Sequence, residues 1–78
     1  MGCSMAATKI FSGKRLRELR ERAGVSRMYL AFSVGRTEQT VFAWEAGRAR
    51  PMPEVLDEIA RELGVDRDAF FEETSARV

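Results

Sequence analysis

The stretch VSRMYLAFSVGRTEQTVFAWEAGRARP, residues 25–51, decides the reading of this chain. Ser26 stands where a helix N-cap belongs, because its hydroxyl can accept a hydrogen bond from an amide of the first turn. Leu30, Ala31 and Val34 then make one apolar face, and Gly35 supplies the left-handed residue that stops the helix. After only Gly35 and Arg36, Thr37 can cap a second helix, whose Val41 and Trp44 point inward together before Gly47 ends it.

The same punctuation continues outward. Upstream, Ser12 caps a helix that carries Leu16, Leu19 and Ala23 at helical spacing and stops at Gly24. Downstream, Arg48 to Pro53 forms a basic loop bounded by prolines. Pro53 then opens a helix with Glu54 complementing its dipole and Leu56, Ile59, Ala60 and Leu63 on one stripe. Gly64 ends it, and Asp66 caps a short last helix bearing Phe70 and Phe71. The reading is an all-α, compact five-helix domain over residues 12–73. Residues 1–11 are read as a flexible N-terminal tail and residues 74–78 as a frayed C-terminus. Seventy-eight residues allow one domain, and a core this small is best served by locally packed helices.

Composition narrows the chemistry. The single Cys3 excludes an internal disulfide, and with no His the chain lacks an ordinary zinc site and any His-based triad. The carboxylates spread along helix faces and no nucleophile stands out, so the expectation is a non-enzyme with no metal and no cofactor. No apolar run is long enough for a transmembrane helix, and Met1 to Phe11 lacks a signal peptide's basic start and apolar stretch. The start Met1-Gly2-Cys3-Ser4-Met5-Ala6 has the outline of a myristoylation signal but carries Ala6 where Ser or Thr is wanted. A cytoplasmic, nucleoid-associated protein with no membrane partner is expected. The net charge of +1 hides a polarity: residues 1–50 carry +6 and residues 51–78 carry −5. Such a chain presents a basic part to a polyanion and turns its acidic part away. Two short helices joined by one tight glycine turn form a helix-turn-helix unit, whose second helix enters the DNA major groove.

Three blocks in this order, LRELRERAG (16–24), residues 25–51 and LDEIARELGVDRDAFF (56–71), resemble the Cro and lambda-repressor-like, or XRE-type, helix-turn-helix family. The resemblance runs from Gly13 to Phe71. It implies five helices, binding of double-stranded DNA through the third, and a two-fold homodimer with contacts around the fifth helix. Phe70 and Phe71 are expected to divide, one entering the core and one lying near the dimer seam. The family also often places an Arg and a Glu at the positions of Arg20 and Glu45 as a partly buried ion pair. Both lie at the edges of the inward faces of their helices, so both charges are carried toward one seam. Where the family often has Gln at the start of the second helix, this chain has Arg27.

Residues at the N-terminal end of a recognition helix reach deepest into the groove, which makes Glu38, Gln39 and Ala43 the expected base readers, with Phe42 as a fourth. Gln39 suits adenine, Glu38 can accept from cytosine, and Ala43 or Phe42 can pack a thymine methyl. Phosphates fall to Arg27, Arg36, Arg48, Arg50 and the Thr37 hydroxyl, although Thr37 also reads as a simple cap. Arg15 and Arg17 read as solvated. The preferred function is a sequence-specific transcription regulator of bacterial or phage origin, a repressor or autoregulator binding a palindromic operator as a dimer. The alternative is a protein-interaction module on the same fold, docking a partner through an exposed apolar patch of Met28, Tyr29, Phe32 and Phe42.

Overall fold

Ser12, Ser26 and Thr37 each fold back onto the helix they precede. Their hydroxyls accept from Arg15 N at 3.1 Å, Tyr29 N at 3.0 Å and Thr40 N at 3.1 Å. They open α1 (Gly13–Arg22), α2 (Arg27–Ser33) and α3 (Glu38–Glu45). A fourth helix, α4 (Pro53–Leu63), starts with proline in its first turn, where a missing amide hydrogen costs nothing. The computed structural model describes residues 7–75. The acylation-like start, the rest of the tail over residues 1–6 and the end of the chain at residues 76–78 lie outside the described residues.

The core draws one fully buried side chain from each layer: Leu16 from α1, Leu30 from α2, Val41 from α3, Ile59 from α4 and Phe70 from beyond it. Trp44 is buried with them. The turn between α2 and α3 depends on Gly35, whose φ of +69° is a conformation that a side chain strains.

The fold departs from an all-α bundle at its ends. The expected fifth helix is a single 3-10 turn, Arg67–Phe70, and the Asp66 side chain makes no cap bond to it. Ala7–Phe11, assigned by sequence to the tail, is a strand, β1, and Phe71–Ser75 is a second strand, β2. They pair antiparallel with Phe11 opposite Phe71, Lys9 opposite Glu73 and Ala7 opposite Ser75. The Ser12 amide donates to Phe70 O at 2.8 Å beside the pairing. Phe11 and Phe71 meet edge to face, ring centroids 6.2 Å apart at 83°, an arrangement that aromatic pairs favour. The two phenylalanines therefore divide: Phe70 plugs the core, and Phe71 packs on Phe11 of its own chain.

Two positions on the helices also differ. Ala23, read as inward, is exposed just past the end of α1, and Val55, absent from the apolar stripe read for α4, is buried. The first residue of α1 is a close contact. Gly13 is buried against the end of α3, where a Cβ would collide with the Trp44 carbonyl oxygen and lie 2.6 Å from that of Glu45.

Candidate nucleic-acid interface

Val41 and Trp44 hold α3 by its inner face, so the outer face is what remains for a ligand. Glu38, Gln39 and Phe42 are exposed there, and Ala43, read as fully outward, is half-buried. Arg36 lies exposed just before α3, and Arg48 and Arg50 lie exposed just after it. The structure thus brings the four expected base readers onto one helix with cations at both of its ends. Thr37 serves as a cap: its hydroxyl accepts from the Thr40 amide and stands 3.0 Å from the Thr40 hydroxyl.

Behind this face sits a charged cluster. Arg20 Nε donates to Glu45 Oε2 at 2.6 Å, with Arg20 Nη2 at 3.4 Å from Oε1. Only 8% of the Arg20 side chain and 4% of the Glu45 side chain are exposed. A third donor of Arg20, Nη1, reaches Val25 O at 2.9 Å and so ties down the connection between α1 and α2. The geometry joins the Arg and Glu named from sequence and gives each guanidinium nitrogen and each carboxylate oxygen of the pair a partner. Among the described residues no buried side-chain nitrogen or oxygen lacks a partner.

Arg27 behaves differently from a free surface cation. Its Nε donates to Glu45 Oε1 at 3.2 Å, and its guanidinium carbon lies 5.2 Å from the centroid of the Phe42 ring. Sequence reading placed Arg27 with the phosphate contacts and missed this joint. No local signal marks it, because Arg27 and Glu45 meet only once α2 packs on α3. Arg15 and Arg17 are exposed and paired, with Glu72 at 3.5 Å and with Glu21 at 3.1 Å. The hydrogen bond that Arg17 donates to Glu21, together with the negative charge of Glu21, raises the pKa of the Arg17 guanidinium above its ordinary value.

No group of three His, Cys, Asp or Glu among the described residues is placed to hold a metal ion. No helix among them is long and apolar enough to cross a membrane. An open groove of about 430 Å³ lies between the β1–β2 ribbon and the start of α4, floored by Phe11, Pro51, Pro53 and Leu56. None of its lining residues belongs to α2 or α3.

The sequence model of a helix-turn-helix domain family matches residues 13–70. The chain belongs to this helix-turn-helix family. Among solved structures, the domain is similar to the restriction-modification controller protein C.AhdI from Aeromonas hydrophila. The identity is 32% over 76% of this chain and 86% of that one, with a TM-score of 0.70. It is equally similar to part of the hydroxypropylphosphonic acid epoxidase from S. wedmorenis, at 31% identity and a TM-score of 0.72 over 77% of this chain. The domain spans about a third of that enzyme, 32% of its chain. The P22 c2 repressor, solved with a synthetic operator, shares the fold at 23% identity and a TM-score of 0.71, covering 78% of this chain and 92% of that one. No curated protein sequence matches the chain. These likenesses place the helix-turn-helix domain among Cro and lambda-repressor-like proteins, as the sequence resemblance implied.

Proposed function

We propose that the chain is a sequence-specific DNA-binding transcription regulator, a repressor or autoregulator that binds a palindromic operator as a dimer and works at the nucleoid. The observation that carries this reading is the outer face of α3. Gln39, Glu38 and Phe42 are exposed, with half-buried Ala43 beside them, on a helix anchored by buried Val41 and Trp44 and flanked by exposed Arg36, Arg48 and Arg50. Donors and acceptors on such a face can read base edges, while the flanking cations meet phosphates. The likeness to a controller protein over most of that protein's length supports a regulatory role.

Selection of bound sites from a random DNA pool tests the proposal. The expected product is an imperfect palindrome whose half-site centres lie roughly 34 to 36 Å apart. On that site Gln39→Ala costs about 1 to 3 kcal/mol, and on random DNA much less, because only a base contact is lost. Equal losses on both would remove Gln39 from the readout. Log affinity falls linearly with log salt, and Arg48→Ala flattens that slope by about 0.9 while weakening all sequences alike.

A second reading rests on the outer face of α2, where Met28 and Tyr29 are exposed and Phe32 is 82% exposed. On this reading the patch docks a partner protein. Recovery of a featureless pool would favour it over the first.

A further inference from the structure

Four side chains form a line from the core to the outer face of α3. Arg20 grips Glu45 at 2.6 Å, Glu45 accepts from Arg27 at 3.2 Å, and Arg27 lies over the Phe42 ring at 5.2 Å. Exposure rises along the line. The Glu45 carboxylate is almost completely buried, the Arg27 side chain is one-third exposed, and Phe42 is 45% exposed. The inner end is therefore fixed by packing and the outer end is open to a ligand.

Building on the proposed DNA-binding function, we propose that Arg27 is a positioning residue that holds Phe42 as a preformed apolar wall for the C5-methyl group of a pyrimidine. An exposed phenylalanine on a helix samples several rotamers, and fixing one on binding takes away affinity. Arg27 removes that loss in advance. Its guanidinium is attracted to the face of the ring, and its Nε is anchored on a carboxylate that Arg20 already holds in place. A face covered by Arg27 leaves the rest of the ring to the solvent, on the shoulder of α3. The C5 position of a pyrimidine lies at the edge of the major groove beside its own sugar-phosphate strand, which suits a wall on a helix flank more than one at its tip. The pairing with Glu45 also makes Arg27 a poor phosphate ligand, since part of its charge is already compensated.

The phosphate role and the positioning role differ in two readouts. In the selected site each thymine is replaced in turn by deoxyuracil, which lacks only the methyl group. For the unaltered protein, one thymine in each half-site shows a weakening of about fourfold, the factor expected for burying one apolar carbon. Phe42→Ala abolishes that difference, and Arg27→Ala reduces it toward unity while leaving the salt slope unchanged. The ratio is read on one protein against two DNAs, so a variant with a smaller folded fraction still reports it. A salt slope lowered by about 0.9 in Arg27→Ala, with the thymine-to-uracil ratio intact, makes Arg27 a phosphate ligand and overturns the proposal. Sequence-selective binding with no methyl-sensitive thymine also overturns it, and leaves the proposed function standing. If the unaltered protein selects no sequence, the proposed function fails first and this inference falls with it.

Discussion

Glu45→Ala is expected to destabilise the domain by about 5 kcal/mol and Arg20→Ala by about 3 kcal/mol, the upper and lower ends of the range for breaking a buried ion pair. The order follows from the geometry. Removing Glu45 strands Arg20, 8% exposed, with only the Val25 carbonyl and a distant Glu21 oxygen at 3.9 Å, and it releases Arg27 as well. Removing Arg20 leaves Glu45 still paired with Arg27 at 3.2 Å. For a domain of this size the smaller loss lowers the melting midpoint by roughly 12 to 24 °C, and the larger one unfolds much of the population of a marginally stable domain. Thermal melts followed by circular dichroism read both. The double variant falls well short of the sum, because the second deletion removes a charge that the first has already orphaned. Replacing both by apolar groups of matched volume is close to neutral. Additive losses below about 0.5 kcal/mol each, the range of ordinary surface substitutions, would mean that the pair contributes nothing.

Gly13→Ala sets two effects of opposite sign against each other. Helix propensity favours alanine over glycine by about 0.5 to 1 kcal/mol. Against it, the new methyl collides with the carbonyl oxygens of Trp44 and Glu45, which are backbone atoms and cannot swing aside. Overpacking of this kind costs about 1 to 3 kcal/mol and more where the neighbours are rigid, so sterics decide the sign. The expected result is a loss at or above the top of that range, with the end of α3 displaced from α1 and DNA affinity reduced along with stability. A melting midpoint equal to or above that of the unaltered protein would show that the two helices can separate at no cost.

The helices and their faces were legible because their signals are local. Ser12, Ser26 and Thr37 cap within three residues of themselves, Gly35 enforces its turn by its own φ, and the stripe of α4 repeats over a single helix. The ion pair was legible only through family resemblance joined to helix geometry. What escaped the sequence depends on contacts between distant segments. The strand Ala7–Phe11 has no partner until Phe71–Ser75 arrives beside it, so alone it reads as tail. Gly13 looks like an ordinary helix start until the end of α3 is placed against it. Arg27 looks like a free surface cation until Glu45 and Phe42 are seen beside it. Ala23 was misread because the helical period was carried past the point where α1 ends.

The β1–β2 ribbon also sets an order of events in folding. Its residue pairs are 60 to 68 positions apart along the chain, whereas α2 and α3 meet across a four-residue connection. Loop-closure entropy grows with the length of chain enclosed, and an isolated pair of strands is marginal in water. The helices therefore collapse first around Leu16, Leu30, Val41 and Ile59, which helices α1 to α4 supply among themselves. The two ends of the described chain zip together afterwards, once Phe70 has docked and carried Phe71 to Phe11. The ribbon is the final step of the folding reaction, and the first part of the structure to be undone when the domain begins to open.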